Sequence, residues 1–352
     1  MNTLVDEEPV VPDSDRVVFF SRCRPQDSDP IEIVLRERRV FIGWPAWRKH
    51  VEPDRSHLRA ALVDFWCPDD EWEVLYNEFG SERRNYQQNR NFVRRINPGS
   101  IALVPRPSRG VIYAGKVISK FEILDDPTWG SDYLNLREAQ GLDATDEFSH
   151  LADVAQCCEV DCFRPLPISY VPAWIRRSLF GRSTYGVVKP LSDHGLDPYA
   201  RLHALMKHPE HVVRDWASDT AEIKRRLLDV VGPSAFEHLC VALLQLEYPE
   251  EVWMHVGGSG DGGIDGIGVE AGGRVVGLLQ CKWAYWGGNV FADRQSGGAN
   301  TRQILAALLH SDEIKAGEGV EFWSHEHIAS LMVRHADRLP MATSLRIRPR
   351  RD

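Results

Sequence analysis

The sequence predicts a mixed α+β to α/β protein of more than one domain, in which a small β-barrel with helices precedes a mixed sheet flanked by helices. With 352 residues the chain is long enough for two or three domains, since a domain averages about 150 residues. Between residues 17 and 118, short β-branched and aromatic runs separated by Asp, Pro and Gly are typical of closely spaced strands. From residue 225 onward we expect an apolar helix, a hairpin and further strands.

Composition and charge are those of a soluble globular protein, with 43% hydrophobic and 26% charged residues. No apolar run approaches the roughly 20 residues that span a bilayer. The acidic N-terminus lacks the hydrophobic stretch of a signal peptide. The net charge of −9 argues against a uniformly basic nucleic-acid-binding surface, but it is compatible with local basic patches. We therefore expect an intracellular, cytoplasmic protein without a membrane partner.

The seven cysteines are odd in number and scattered along the chain. Three of them cluster, namely Cys157, Cys158 and Cys162. Free thiols in a reducing cytosol are expected there. A zinc site is the alternative, although no second Cys or His pair follows at a zinc-finger spacing.

Four segments are expected in chain order. Residues 1–15 are acidic and contain prolines, which predicts a disordered leader. A reader or sensor domain follows at 16–190, then a helical linker at 191–224, and the second domain at 225–352.

The first domain should contain a small barrel built from short, turn-punctuated strands. These strands are expected at 17–23, 31–35, 39–45, 101–105 and 110–118. Helices are expected at 54–66, 70–79 and 168–188, a loop at 126–165, and two linker helices near 198–208 and 215–231.

Three stretches of this domain form a pattern by their order, namely Phe41-Ile-Gly-Trp, Ile96-Asn-Pro-Gly-Ser-Ile-Ala-Leu-Val-Pro and Val111-Ile-Tyr-Ala-Gly-Lys-Val. The pattern resembles the EVE/PUA-like domains of modification-dependent restriction systems, with Ser100 where that family usually has Asp. The resemblance covers roughly residues 17–125. It implies a pocket that holds a flipped, modified base between aromatic side chains. The candidates, each of which has core or ordinary surface packing as its alternative, are Trp44, Trp47, Trp66 and Tyr113.

A basic stretch lies inside the same domain, at residues 82–95. Only Glu82 offsets its five arginines, and Tyr, Asn and Gln residues are interleaved with them. Contact with DNA phosphates and a solvated helix face are equally compatible with this pattern. The arginines concerned are Arg83, Arg84, Arg90, Arg94 and Arg95.

Four polar residues of the second domain are placed for one reaction. Glu237 lies on the apolar helix, Asp265 follows the turn Gly257-Gly-Ser-Gly-Asp-Gly-Gly, and Gln280 and Lys282 alternate in an apolar strand. Alternate strand residues share a face, so Gln280 and Lys282 point together and Cys281 points away. Glu237 also has a structural alternative, because Ser234 and Glu237 fit a capping box.

Phosphodiester hydrolysis explains the need for these residue types. A hard divalent cation held by oxygen ligands stabilises the developing charge and lowers the pKa of an attacking water. We expect Mg²⁺, for which Mn²⁺ can substitute. Its ligands would be the Asp265 carboxylate, the Gln280 amide oxygen, the Cys281 carbonyl oxygen and Glu237. Lys282 would orient the water or stabilise negative charge.

Three motifs in this order, around Phe236-Glu237, Gly258-Ser-Gly-Asp-Gly-Gly-Ile-Asp265 and Gln280-Cys-Lys282, resemble the Mrr-like branch of the PD-(D/E)xK nuclease superfamily. The resemblance covers about residues 225–285. It implies a restriction-endonuclease-like mixed sheet flanked by helices, with Glu237, Asp265, Gln280 and Lys282 as the catalytic residues.

Together the two resemblances imply a Mg²⁺-dependent DNA endonuclease that restricts foreign, modified DNA in antiviral defence. Its partner would be double-stranded DNA, and cleavage of both strands predicts a homodimer or larger homo-oligomer. One alternative is an effector nuclease activated by a small ligand or partner protein that the N-terminal domain senses. Another is a non-catalytic DNA-binding module.

Several polar residues near the motifs have ordinary structural explanations. Asp261 is expected to form the turn rather than assist catalysis. Arg302 and Gln303 are expected on a helix at 299–311, facing solvent or a phosphate, and a second helix is expected at 325–337. Surface positions or ordinary hydrogen bonds are expected for His255, His325 and His327.

Overall fold

The computed structural model describes residues 16–42, 88, 91–124, 126–145, 147–181, 183–208, 215–256, 263–287, 301–311 and 319–348. The chain divides into two compact units, the first formed by residues 1–171 and 178–210 and the second by 172–177 and 211–352. None of the helices in the described ranges is long and apolar enough to cross a membrane. Several predicted features lie outside the described residues, namely the leader, the helices at 54–66 and 70–79, Trp44, Trp47, Trp66, Arg83, Arg84, Arg90 and Asp261.

The first unit is a mixed α/β structure whose described strands form two open sheets. The larger sheet has the order β7-β4-β3-β1-β8 and the smaller one β2-β6-β5. β1 pairs parallel with β3, and the other neighbours in the two sheets pair antiparallel. The strands are β1 (Val18–Ser21), β2 (Arg39–Phe41), β3 (Ile101–Arg106), β4 (Val111–Lys116), β5 (Glu122–Ile123), β6 (Gln156–Glu159), β7 (Arg164–Pro167) and β8 (Tyr185–Val188).

The predicted barrel is therefore not closed by the strands that the structure describes. The main apolar core of this unit includes Phe19, Phe41, Val104 and Tyr133. The helices are α1 (Ile31–Glu37), α2 (Gly130–Ala139), α3 (Glu147–Ala155), α4 (Ala173–Leu179, which spans both units) and α5 (Pro198–Lys207).

Three local predictions for this unit are wrong. Residues 31–35 were expected as a strand and form α1, which buries Ile31, Ile33 and Val34, because packing overrides the β propensity of branched residues. The expected loop at 126–165 contains α2, α3 and β6. The expected helix at 168–188 is limited to α4, and residues 185–188 form β8 instead. Gly186 of β8 lacks a side chain and so leaves room for the ring of Phe20.

The second unit contains one mixed sheet of order β13-β12-β11-β10-β9, and β11 carries Gln280, Cys281 and Lys282. β9, β10 and β11 pair antiparallel, whereas β11, β12 and β13 pair parallel. The strands are β9 (Val252–His255), β10 (Gly266–Val269), β11 (Val275–Tyr285), β12 (Arg302–His310) and β13 (Val320–Trp323). The helices are α6 (Thr220–Val230), α7 (Pro233–Glu247), α8 (His325–Arg334) and α9 (Pro340–Ser344).

Trp253 holds the antiparallel part of this sheet together. A Cβ at Gly268 of β10 would lie 2.7 Å from its ring, and a Cβ at Gly277 of β11 would lie 2.4 Å from it. The indole Nε1–H donates to Glu251 Oε2 at 3.0 Å. The two glycines therefore let one buried indole lie across the neighbouring strands that lead to the motifs.

The helix predicted at 299–311 is wrong, because residues 302–310 form β12. Its run from Ile304 to Leu309 is buried throughout, and a strand buried on both faces reads as a continuous apolar run rather than an alternating one. Arg302 is half-buried in this strand, stacks on the ring of Tyr248 at 3.8 Å and pairs with Glu251 at 3.1 Å. The helix expected at 325–337 is found as α8.

Candidate active site

Asp265 is attached to the strand that carries Gln280 and Lys282. It immediately precedes β10, and its backbone N–H donates to the carbonyl oxygen of Leu279 at 2.8 Å. Its side chain turns toward the same strand, where Oδ2 accepts a hydrogen bond from the backbone N–H of Cys281 at 2.6 Å. The antiparallel register therefore brings the Asp265 carboxylate directly against the third motif, from which a hairpin separates it in sequence.

Glu237 lies in the second turn of α7 and contacts a residue that the sequence did not associate with the site. Its Oε2 is 2.9 Å from Nε2 of His255, the last residue of β9. In the sheet register His255 lies opposite Gly266, the neighbour of Asp265. The ring of His238 lies 4.3 Å from that of His255. Glu237 thus reaches the end of β9, which is paired with the start of β10 next to Asp265.

The capping-box alternative for Glu237 is not supported. Helix α7 starts at Pro233 with Gly232 as N-cap, and no side chain caps this end of the helix. Pro is favoured at the first helical position, so Ser234 falls inside the helix instead of before it. The carboxylate of Glu237 is therefore directed to His255 and not to the helix start.

Gln280 is buried, with 4% of its surface exposed, and its amide lies against the glycine-rich turn. A Cβ built at Gly263 would lie 2.4 Å from Gln280 Nε2, and Gly263 has a φ of +81°. The turn consequently requires glycine there for two reasons, its backbone conformation and the approach of the amide. Gly263 is the residue of the turn that the structure describes, and its contact with Gln280 links the turn to β11.

Cys281 points to the opposite face of β11, as predicted from strand alternation. Its thiol hydrogen-bonds with that of Cys240 on α7, and the hydrogen bond, burial and the charges of Asp265 and Glu237 raise its pKa well above the usual value. The thiol therefore faces α7, and the predicted ligand set uses the backbone carbonyl oxygen of the same residue.

Lys282 is half-buried, next to Cys281 and on the same face as Gln280. No hydrogen bond or ion pair joins its ammonium to another residue in the described ranges. Its pairing partner on β12 is Ala307. A half-buried lysine on this strand is suited to bind an anionic group such as a phosphate.

The oxygen donors of this site fit a hard cation, because they combine the carboxylates of Asp265 and Glu237 with the neutral oxygens of Gln280 and Cys281. Within the described ranges, the residues whose His, Cys, Asp or Glu ligand atoms lie within 4.8 Å of one another in a group of three are His310, His325 and Glu326. The clustered cysteines Cys157, Cys158 and Cys162 do not form such a group.

The predicted DNA-binding residues of the first unit are only partly described. Tyr113 lies on β4, half-buried and packed against the apolar core. Arg94 is half-buried and Arg95 is exposed, directly after a short helical turn. These positions are compatible with the predicted base pocket and phosphate contacts.

Two histidines of the second unit make hydrogen bonds, which is one of the two expectations for them. His325 is buried against His310, and His255 contacts Glu237. His327 is exposed and packs on Trp323. A local pattern does not show the first two contacts, since the partners are 15 and 18 residues apart in sequence.

Comparisons with protein-family models, with curated proteins and with solved structures found no match to this chain. The family resemblances therefore depend on the motifs themselves.

Proposed function

We propose that this chain is a Mg²⁺-dependent endonuclease that hydrolyses phosphodiester bonds of double-stranded DNA, with Asp265, Gln280, Lys282 and Glu237 as its catalytic residues. One observation carries the proposal. The side chain of Asp265 is hydrogen-bonded to the backbone of the Gln280-Cys281-Lys282 strand, and Glu237 reaches the neighbouring strand end from α7. The second and third motifs are thus in direct contact, and the first reaches the adjacent strand, which supports the Mrr-like PD-(D/E)xK resemblance.

Each residue has a distinct part in the proposed reaction. Asp265 is the anionic ligand, and the N–H of Cys281 holds one of its carboxylate oxygens in place. The Gln280 amide oxygen, the Cys281 carbonyl oxygen and Glu237 complete an oxygen ligand set. Mg²⁺ bound there would act as a Lewis acid on the phosphate and lower the pKa of a water. Lys282 donates hydrogen bonds to the phosphate or to the attacking water.

The biological role that fits best is restriction of modified phage DNA in the cytoplasm. The first unit would read the modification through an EVE/PUA-like fold and an aromatic pocket that includes Tyr113. Arginines of the 82–95 stretch would contact the phosphates. A homodimer would supply one active site for each strand.

The test is digestion of phage DNAs that carry different modified bases, with Mg²⁺ and without added nucleotide. Asp265→Asn and Lys282→Met should each lower the cleavage rate at least about 100-fold, because charge stabilisation at the reacting phosphate is lost. Asp337→Asn and Lys207→Met, which alter exposed residues of the same types, serve as controls. Cleavage by Asp265→Asn at the wild-type rate would refute the assignment.

The same experiment separates the alternatives. Cleavage of modified DNA alone supports modification-dependent restriction. Cleavage that requires a small molecule or another protein, irrespective of modification, would indicate a ligand-activated effector nuclease. DNA binding without metal-dependent turnover would indicate a non-catalytic DNA-binding module.

A further inference from the structure

A pair of buried histidines joins the end of β12 to the start of α8. His310 and His325 are 6% and 4% exposed. Nδ1 of His325 lies 2.9 Å from Nε2 of His310, and the ring centroids are 4.8 Å apart. Each ring has a second polar contact at its other nitrogen. His310 Nδ1 lies 3.1 Å from the carbonyl oxygen of Ser311, and His325 Nε2 contacts the Glu326 carboxylate.

These three contacts require more hydrogens than two neutral imidazoles possess. The carbonyl of Ser311 only accepts, so His310 Nδ1 must carry a hydrogen. An ionised Glu326 also only accepts, so His325 Nε2 must carry one. A third hydrogen is needed between the two facing nitrogens, whereas two neutral rings hold two in total. Two neutral rings therefore lack one hydrogen, and a positive charge between the two facing nitrogens would supply what is missing.

Glu326 is ionised in this arrangement. Its side chain is 61% exposed, and an exposed carboxyl group is ionised near neutral pH. The Ser324 hydroxyl donates to Glu326 Oε2 at 2.8 Å. A carboxylic acid donating to His325 is thus not the source of the missing hydrogen near neutral pH.

We infer that His310, His325 and Glu326 form a binding site for a divalent transition-metal ion such as Zn²⁺, which occupies the place of the missing charge. The ligands are His310 Nε2 and His325 Nδ1, whose separation of 2.9 Å is spanned by two metal–nitrogen bonds of about 2.1 Å. Imidazole nitrogens select Zn²⁺, Co²⁺ or Ni²⁺ over Mg²⁺, which takes oxygen ligands.

The outer contacts of both rings support a metal. Histidines that bind metals donate their other N–H to a backbone carbonyl or a carboxylate, and this contact fixes the tautomer and the ring orientation. Ser311 and Glu326 provide one contact of each kind. The edge of Phe322 against the His310 ring, at 5.1 Å between centroids, further restrains that ring. The metal would join the last residue of β12 to the first residue of α8, independently of the proposed nuclease activity.

The site can be tested on the full chain with Co²⁺, whose visible absorption reports nitrogen coordination. The titration uses metal-free protein with Asp265→Asn and excess Mg²⁺, which removes the oxygen-ligand site from the readout. We expect one Co²⁺ per chain, displaced by Zn²⁺, and a rise of the thermal midpoint on Zn²⁺ addition. His310→Gln and His325→Gln should abolish both signals, and Glu326→Gln should weaken binding about 10- to 100-fold.

His327→Gln is the matched control, because His327 is on the same helix, exposed and outside the cluster. It should bind Co²⁺ like the parent protein. Absence of stoichiometric Co²⁺ binding by the parent protein would overturn the inference and assign the missing charge to a shared proton. Equal binding by parent and His310→Gln would overturn it as well. Neither outcome depends on whether the chain cuts DNA.

Discussion

At the scale of the residue, Gly263 determines where the Gln280 amide can lie. Its φ of +81° is in the left-handed region, and a methyl group there would meet Gln280 Nε2 at 2.4 Å. Gly273 in the next hairpin has nearly the same φ, +79°, with no atom within 4 Å of an added Cβ. An alanine at either position would strain the backbone, but only an alanine at position 263 would also displace a residue of the site.

Gly263→Ala and Gly273→Ala should each lose about 1–2 kcal/mol of stability from the left-handed backbone. Only Gly263→Ala should also lower the rate of DNA cleavage, by about 10- to 100-fold, because it displaces Gln280. Urea unfolding and metal-dependent cleavage of both variants measure the two effects. An equal loss of activity in both would show that strain, and not the Gln280 contact, is responsible.

The motif residues of the site could be predicted individually, whereas their contacts could not. Asp265, Gln280 and Lys282 belong to short patterns whose chemistry is readable from residue type and spacing. The contact of His255 with Glu237 joins a strand end to a helix, and no local period encodes it. Residues whose role depends on tertiary neighbours, such as His310, lack a sequence signal of this kind.

At the scale of the element, α6 is attached to the end of the chain by a buried guanidinium. Arg226, whose side chain is 5% exposed, donates to the carbonyl oxygens of Asp215, Leu345 and Arg346 at 2.9–3.1 Å and to Glu222 at 2.7 Å. The adjacent Arg225 also pairs with Glu222, but its side chain is 41% exposed. Replacing each arginine in turn therefore compares the stability contribution of a buried side chain with that of a half-exposed one.

Arg226→Met should destabilise the protein by about 3–5 kcal/mol, because it leaves three carbonyls and a carboxylate without their donor. Arg225→Met should cost less, about 1–2 kcal/mol, because its side chain is half-exposed, although it also pairs with the buried Asp229 at 3.2 Å. Chemical denaturation monitored by circular dichroism provides the comparison. Similar losses for both variants would mean that the carbonyl contacts contribute little.

Elements with a clear period were predicted, and elements shaped by burial were not. The hairpin of β9, β10 and β11 and the helices α5, α7 and α8 follow from alternation, helical spacing and turn residues. β12 was missed because burial on both faces removes alternation, and its Leu and Ala residues favour a helix intrinsically. α1 was missed for the converse reason, since its branched residues have high strand propensity.

At the scale of the whole molecule, an acidic chain is proposed to hold DNA. The net charge is −9 at pH 7, so general electrostatic attraction is absent and any affinity must come from local arginines. If the 82–95 stretch contacts phosphates, those contacts release counterions, and the affinity falls steeply with salt.

Replacing Arg83, Arg84, Arg90, Arg94 and Arg95 by Gln should reduce the slope of log affinity against log salt by about 0.9 for each lost phosphate contact. DNA binding by the inactive Asp265→Asn protein over a series of NaCl concentrations measures the slope. The control removes five arginines of the same unit that already pair with carboxylates, namely Arg24, Arg36, Arg38, Arg109 and Arg164. Equal slopes for both variants would exclude the stretch as the phosphate contact.

The mixed α/β class was predictable at this scale, but the assembly of the first unit was not. Its strands are short, and the chain returns to the larger sheet after long intervals, so that β1 lies between β3 and β8. Such non-local pairing depends on the whole chain, and this explains why short strands suggested a barrel while the described ones form open sheets.

The thiols of Cys240 and Cys281 allow the opening rate of the contact between α7 and β11 to be measured. Both are free and buried, and an enclosed thiol does not react with alkylating reagents. Each labelling event therefore records a moment when this helix separates from this strand. Glu237 and Lys282 lie on these two elements. Mass spectrometry of the alkylated cysteines therefore measures how often α7 and β11, and with them the candidate active site, open.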